Sequence, residues 1–187
     1  MSQPLVSIVI PSYNHEKYIT QCLESALNQT WQNIEILVVD DGSTDNTRAI
    51  LEGFGHYQNI HLHFQENKGS SAAINRGIAL AKGTYISILN SDDCYASTRV
   101  EQLLQMAQTH AKPCLFATGV ELIDEQGEVL PEDFWWNRMY AEMVARWQGT
   151  DAQEQESRYD ILSWGNLAAS TSNFFFRKDL IESCGGF

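Results

Sequence analysis

The sequence contains few basic residues: 12 lysines and arginines stand against 24 aspartates and glutamates, giving a net charge of −12. Nucleic-acid-binding proteins need clustered Lys and Arg to neutralise phosphates. The composition therefore predicts no nucleic-acid partner. It also implies that an anionic ligand would need local help from backbone N–H groups or from a metal ion.

Cysteine and long apolar runs are also scarce. The cysteines form no Cys-x-x-Cys pair, which argues against a zinc site and against a disulfide framework. The apolar run near the N-terminus, residues 5–11, is far too short to cross a bilayer, and no secretory signal precedes it. We therefore expect a cytosolic protein with reduced thiols, and peripheral docking onto a membrane surface is compatible with that expectation. The four cysteines are Cys22, Cys94, Cys114 and Cys184.

Strand-like and helical patterns alternate four times over the first 110 residues. The run "LVSIVIP" is β-branched and unalternating, which is typical of a strand buried on both faces. Apolar residues then recur at helical spacing, and Asn14 is predicted to cap the first helix. Four such units with short connections predict a mostly parallel sheet flanked by helices. The segments "PCLFATGVELID" and "GEVL" predict a strand and a hairpin beyond them.

Polar clusters follow three of the predicted strands. They are "PSYN" at residues 11–14, "DDGS" at 40–43 and "NSDD" at 90–93. Ligands of open parallel sheets bind beyond the carboxyl ends of the strands, so we expect the clusters to meet at one edge. Together they could form a pocket for an anionic, ribose-bearing ligand.

Asp92 and Asp93 place two adjacent carboxylates at the end of a strand. Their repulsion is tolerable if Mg²⁺ or Mn²⁺ lies between at least one of them and a pyrophosphate. The alternative is that one carboxylate caps the next helix while the other is solvated. The "DDGS" cluster in the same relative position favours the binding role.

The segments "VSIVIPSYNHEKYITQCLESALNQTWQNIEILVVDDGSTDNT" and "ENKGSSAAINRGIALAKGTYISILNSDD" resemble those of family 2 glycosyltransferases. The resemblance implies an α/β GT-A (Rossmann-like) fold: a mostly parallel central sheet flanked by helices, with a small antiparallel element toward the C-terminus. It implies one domain over residues 1–187, truncated at its C-terminus. Residues 1–110 would form the nucleotide-sugar-binding half and residues 111–187 the acceptor-side half.

The resemblance also assigns donor-site roles. Pro11, Tyr13 and Asp41 map onto base recognition, with Asp41 accepting from the base imide. Asp92 would contact ribose, and Asp93 would ligate Mn²⁺ or Mg²⁺ on the diphosphate. Asn90 stands where many relatives carry a further aspartate. Three more residues, Asn67, Lys68 and Asn75, lie in a segment that often lines the donor pocket, although Lys68 could equally be a solvated lysine.

On the acceptor side, Trp135 and Trp136 could stack on sugar faces, or they could be core residues. Ser172 and Asn173 lie in a segment that faces the acceptor in relatives. The general base of the family follows a "GGF"-like turn, so it is expected beyond Phe187. Without that base, the chain is expected to bind nucleotide and metal but to transfer sugar poorly.

The implied function is inverting transfer of a sugar from a nucleotide-diphospho-sugar, most commonly a UDP-sugar. The acceptor would be a saccharide or a lipid-linked molecule, in the synthesis of surface polysaccharide or glycolipid. Two alternatives remain at this point. One is a nucleotidyltransferase, although "PSYNHEKY" lacks the glycines of that class. The other is a non-catalytic module that binds nucleotide-sugars.

Overall fold

The structure is a computed structural model that describes residues 3–109, 115–131, 170–185 and 187. Strands and helices alternate through α4, as the sequence pattern predicts. The elements are β1 (Val6–Ser12), α1 (Ile19–Leu27), β2 (Ile34–Asp40), α2 (Thr47–Gly53), β3 (Ile60–Phe64), α3 (Ser70–Leu80), β4 (Tyr85–Ile88), α4 (Arg99–Thr109), β5 (Leu115–Phe116), β6 (Phe175–Arg177) and α5 (Lys178–Cys184), with a 3₁₀ turn at Thr171–Asn173 before β6.

The strands form one sheet in the order β3-β2-β1-β4-β6-β5. The first four strands in this order run parallel, whereas β6 is antiparallel to both β4 and β5. The predicted sheet, mostly parallel with an antiparallel element near the C-terminus, is therefore confirmed. Strands β1 and β2 are buried along their whole length, which explains why their sequences do not alternate between apolar and polar residues.

Helices cover both faces of the sheet. On one face, Ile8 and Ile10 of β1 belong to a cluster that includes Leu23 of α1 and Leu103 of α4. On the other face, Val9 belongs to a cluster that includes Ile74 and other residues of α3. Successive residues of a strand point to opposite faces, so one continuous apolar run supplies both cores. This packing places the start of α3 at the same edge of the sheet as the ends of β1, β2 and β4.

The chain divides into two compact units. One comprises Met1–Thr118 with Thr171–Phe187, and the other comprises Gly119–Ser170. Within the second unit, Ile123 and Val129 form an antiparallel bridge, as expected for the predicted hairpin. The division at residue 110 into a nucleotide-sugar-binding half and an acceptor-side half stays a prediction. No helix in the described part of the chain is both long enough and apolar enough to span a bilayer.

Candidate functional site

A cavity of about 540 Å³ opens at the carboxyl ends of β1, β2 and β4. The structure brings all three predicted polar clusters to its wall, together with the first residues of α3. Crossover connections explain this convergence, because they bring each parallel strand back in the same direction. The lining residues are Pro11, Ser12, Tyr13, His15, Asp41, Asn67, Gly69, Ser70, Ser71, Ala73, Ile74, Asn90, Ser91, Asp92, Thr171 and Phe187.

Asp41 fastens the turn after β2 to the loop before α3. Its buried carboxylate accepts hydrogen bonds from Gln65 Nε2 at 2.6 Å, from the Lys68 N–H at 2.9 Å and from the Gly69 N–H at 2.7 Å. The neighbouring Gly42 has φ +78, and a Cβ there would lie 2.9 Å from the backbone nitrogen of Asn67. Glycine is required because the turn needs both a left-handed conformation and this close approach.

The loop after β1 is bound to the loop after β2. Asn14, at φ 54, accepts a hydrogen bond from the Thr44 N–H at 2.7 Å, and its own N–H donates to Ser43 Oγ at 2.9 Å. Tyr13 beside it is 43% exposed and lines the cavity. The loop is therefore anchored through Asn14 while an aromatic ring stays available to a ligand.

The loop after β4 separates the two adjacent aspartates. Asp92 is exposed and lines the cavity, whereas Asp93 is half-buried and does not. Asp93 Oδ2 accepts a hydrogen bond from Ser172 Oγ at 2.6 Å, and the same hydroxyl accepts the N–H of Asn90 at 2.7 Å. A second contact, from Thr171 Oγ1 to Asn90 Oδ1 at 2.9 Å, holds the same loop. The turn before β6 therefore sets the position of Asp93.

Five of the eight predicted donor-site residues line the cavity: Pro11, Tyr13, Asp41, Asn67 and Asp92. The other three do not line it. The backbone of Lys68 is bound to Asp41, and Asp93 is bound to Ser172. Asn75 holds the main chain of Phe187, donating from Nδ2 to its carbonyl at 2.8 Å and accepting its N–H at 2.9 Å. The ligand-binding roles of all eight stay predictions.

The predicted acceptor residues fall into two groups. Trp135 and Trp136 lie outside the described residues. Ser172 and Asn173 are buried, with 8% and 3% exposure, and both bond to protein groups. Neither of these two lines the cavity, so the acceptor role predicted for them has no geometric support here and stays a prediction.

Several lining residues were not predicted from the sequence. Ser70 and Ser71 directly follow Gly69 at the start of α3, and that position was the available signal, because helix N-termini bind anions. His15 follows the "PSYN" cluster directly, and its Nδ1 lies 2.7 Å from Ser91 Oγ. Thr171 carries no local signal, since it reaches the site from a distant part of the chain.

The charge of the cavity wall is negative on its side chains and positive on its backbone. Asp41 and Asp92 are the lining carboxylates, and no lysine or arginine occurs among the described lining residues. The first N–H groups of α3 supply partial positive charge at its start. Burial raises the pKa of the Cys94 thiol, and the Asp93 charge raises it further, so this thiol stays neutral near pH 7. The negative charge of the 90–94 loop therefore comes from Asp92 and Asp93.

The described residues contain no cluster of three or more His, Cys, Asp or Glu side chains suited to a metal ion. A cage built from protein ligands alone is therefore absent from this part of the chain. Magnesium is commonly bound by one or two carboxylates together with substrate phosphates. The oxygen donors of Asp92 and Asp93 fit that mode of binding.

Two curated bacterial proteins are similar to this chain. The chain is 49% identical over 106 residues to the glycosyltransferase GlyG of Streptococcus pneumoniae serotype 4, a match covering 56% of this chain and 35% of GlyG. It is 40% identical over 135 residues to the chondroitin synthase of Escherichia coli, covering 71% of this chain and 20% of the synthase. These matches cover about a third or less of the length of either relative.

Solved structures share the fold. S. aureus TarS in complex with UDP superposes with a TM-score of 0.63 at 22% identity, covering 96% of this chain and 48% of that chain. The mannosyltransferase PcManGT from Pyrobaculum calidifontis, in complex with GDP-Man and Mn²⁺, gives a TM-score of 0.65 at 21% identity. The match covers 100% of this chain and 48% of that chain. At such identity the likeness shows the fold alone, and it confirms the predicted GT-A fold.

The family match extends over almost the whole chain. The family described as "Glycosyl transferase family 2" matches residues 7–185, from β1 to the turn after α5. It includes all three polar clusters that line the cavity and the Thr171–Asn173 turn that binds Asp93. The chain therefore belongs to glycosyl transferase family 2.

Proposed function

We propose that the chain is the donor-binding part of a glycosyltransferase that moves a sugar from a nucleotide-diphospho-sugar to a saccharide or lipid-linked acceptor. The cavity carries this proposal. It combines an exposed aromatic ring, a buried carboxylate, an exposed carboxylate and a helix N-terminus. These groups match the base, the ribose and the diphosphate of such a donor in chemical character. Family membership supports the proposal.

In this proposal, Tyr13 and Pro11 pack against the nucleobase, and Asp41 accepts a hydrogen bond from its imide. Asp41 Oδ2 accepts one hydrogen bond, from Gly69. A carboxylate oxygen has two lone pairs, so this atom has capacity for a further donor. Because neighbouring amides already hold the carboxylate in place, it would bind the base without losing conformational freedom. Asp92 would bind the ribose.

The diphosphate would bind between the start of α3 and the aspartate pair. Asp93 is the predicted ligand of Mn²⁺ or Mg²⁺, and Asp92 is the carboxylate that the cavity exposes. A bound divalent cation would neutralise the charge that grows on the departing diphosphate. The first N–H groups of α3 would share that task. Two similar structures, TarS in complex with UDP and PcManGT in complex with GDP-Man and Mn²⁺, favour a nucleotide-sugar and a metal without fixing the base.

Inverting transfer would form the bond from the acceptor oxygen to the anomeric carbon as the bond to the diphosphate breaks. The acceptor proton would pass to a carboxylate base, which is predicted to follow Phe187. The two hydrogen bonds between Asn75 and Phe187 fix the main chain beside α3. The chondroitin synthase relative favours a polysaccharide product.

Calorimetric titration of UDP, GDP and dTDP, each with and without Mn²⁺, tests the proposal. We expect one nucleotide to bind, and to bind more tightly with Mn²⁺. Asp93→Ala should reduce the gain from Mn²⁺, whereas Asp92→Ala should weaken binding with or without Mn²⁺; the reverse pattern would make Asp92 the metal ligand. Glu52→Ala on the exposed face of α2 is the matched control and should leave the nucleotide affinity unchanged, with and without Mn²⁺.

Absence of binding under every condition would contradict the proposal. Binding of one nucleotide with no effect of Mn²⁺ would contradict its metal-dependent part. A longer form of the protein, extended past Phe187, should hydrolyse or transfer the sugar. Binding without turnover in that form would favour a non-catalytic nucleotide-sugar module instead.

A further inference from the structure

Arg99, the first residue of α4, is a buried cation held by neutral groups. Only 7% of its surface is exposed. Its guanidinium donates to Ser87 Oγ at 3.1 Å, to the Ser172 carbonyl at 3.2 Å and to Asn173 Oδ1 at 3.1 Å. It also lies 4.2 Å from the ring centroid of Tyr95. Among the described residues no carboxylate pairs with it within 4.0 Å.

A buried charge of this kind is costly to desolvate and needs several hydrogen bonds to be tolerated. An apolar residue would fill the same space on α4 at lower cost. The fork of a guanidinium, however, can donate to a strand side chain and to a turn at the same time. Arg99 is therefore suited to fix the turn Thr171–Asn173 relative to β4.

The Thr171–Asn173 turn is hydrogen-bonded to the loop after β4, which carries Asp92 and Asp93. The backbone of Thr118 also holds Asn173. The Thr118 N–H donates to Asn173 Oδ1 at 2.9 Å, and the Thr118 carbonyl accepts from Asn173 Nδ2 at 2.7 Å. The adjacent Ser172 uses its hydroxyl to bridge the Asn90 N–H and the Asp93 carboxylate. A continuous series of hydrogen bonds thus runs from Arg99 through the turn to Asp93.

The same loop is braced at its other end. Tyr95, two residues after Asp93, places its ring under the Arg99 guanidinium and hydrogen-bonds through its hydroxyl to Ser87 and to the Ile88 carbonyl. Arg99 therefore contacts the elements on both sides of the aspartate pair.

We propose that Arg99 is a positioning residue for diphosphate binding. It holds the Thr171–Asn173 turn so that Ser172 orients the carboxylate of Asp93 and the backbone of Asn90. The role of this loop in metal-assisted nucleotide binding rests on the proposed function. The positioning of the loop by Arg99 does not, and it can be measured separately.

Two variants and one control test the inference in the whole chain. Arg99→Lys keeps the charge but loses the fork, and Ser172→Ala removes the hydroxyl that binds Asp93. Arg48→Met, on the exposed face of α2, is the control. The first readout is amide hydrogen exchange of Asn90 by NMR. We expect exchange about tenfold faster in both variants, the factor that corresponds to a lost hydrogen bond. The amide of Ile36, which is buried in β2 and bonded to the Asn59 carbonyl, should keep its wild-type rate, which shows that the fold is intact.

The second readout is the ratio of the UDP dissociation constants without and with Mn²⁺; if another nucleotide binds instead, it replaces UDP. We expect this ratio to fall about tenfold in both variants, because a charged hydrogen bond no longer orients Asp93. Affinity without metal should stay at the wild-type value. The double variant should lose no more than Ser172→Ala alone, since both changes interrupt the same series of contacts.

Unchanged Asn90 exchange in Arg99→Lys would overturn the inference. Equal weakening of binding with and without Mn²⁺ would also overturn it, because a purely structural role has that effect. If the wild type binds nucleotide without any influence of Mn²⁺ while Asn90 exchange still accelerates in both variants, the positioning of the loop stands. The metal-dependent part of the proposed function then fails.

Discussion

Strand β2 places a buried carboxylate near each of its ends, Glu35 and Asp41. Asp41 binds the backbone N–H groups of residues 68 and 69, just before α3. Glu35 binds those of residues 82 and 83, just after α3, at 2.6 and 3.1 Å. Both carboxylates are nearly inaccessible, with 5% exposure for Glu35 and 3% for Asp41. One strand therefore fastens α3 to the sheet at both ends with the same chemistry.

The surroundings of the two carboxylates differ. Asp41 lies on the wall of a cavity. Glu35 also accepts the Ser7 hydroxyl at 2.5 Å, and a Cβ on the nearby Gly83 would lie 2.7 Å from the backbone nitrogen of Ser7. The backbone closes this end and leaves no space for a ligand beside Gly83. A carboxylate can thus serve stability at one end of a strand and ligand binding at the other, depending on what the connections leave open.

The largest expected loss of stability is at Glu35, at the end of β2 where the backbone leaves no space for a ligand. Glu35→Ala removes the acceptor of the Ser7 hydroxyl and of the Lys82 N–H, and it should lower the free energy of unfolding by roughly 3 kcal/mol, since each unsatisfied buried group costs about 1–3 kcal/mol. Urea denaturation measures this change. Nucleotide binding by the folded fraction should be unaffected. Loss of binding without loss of stability would reverse the assignment of the two ends.

A smaller effect is expected at Gly83. In Gly83→Ala the new methyl would lie 2.6 Å from Ser7 Oγ and 2.8 Å from the Leu5 carbonyl oxygen, so the backbone must shift. We expect a loss of about 2 kcal/mol, within the usual range for overpacking. Gly53→Ala is the matched control, because nothing lies within 4 Å of its Cβ position. Equal melting temperatures for the two variants would show that the closed end is not tightly packed.

The smallest expected change in stability is at Asp41, at the end of β2 that opens to the cavity. Asp41→Asn replaces one carboxylate oxygen by an NH₂ group that faces N–H donors, so we expect a loss of about 1–2 kcal/mol in unfolding free energy. Nucleotide affinity should fall about tenfold with or without Mn²⁺, because the imide loses a charged acceptor. Calorimetry on the folded variant measures the second effect. An unchanged nucleotide affinity would contradict the role proposed for Asp41 in base recognition.

The strands were predicted well because their signal is local. Continuous apolar runs identified β1, β2 and β4, since burial on both faces requires such runs. The alternating sequence of β3 matches its partial burial. The cap predicted at Asn14 was wrong: α1 begins at Ile19, after Tyr18. Asn14 instead binds Ser43 and Thr44, across a loop that is adjacent only in the folded protein. A capping residue and a loop-bridging residue have the same local sequence pattern.

The site was predicted in part for a similar reason. Clusters at strand ends were visible from the order of the elements, and five of the eight predicted donor-site residues line the cavity. The sequence could not separate Asp92 from Asp93, because the separation depends on Ser172. Nor could it connect Asn75 with Phe187, two residues far apart in sequence.

The sequence by itself determined the alternation of strands and helices, the net charge of −12, and the presence of carboxylates at the ends of the strands. These properties depend on the periodicity and composition of neighbouring residues. Only the tertiary structure decided that Asp41 both lines the cavity and holds the loop before α3, and that Asp92 lines the cavity while Asp93 binds the turn before β6. That choice depends on hydrogen bonds from segments distant in the chain, chiefly residues 65–69 and the turn Thr171–Asn173 that Arg99 holds in place.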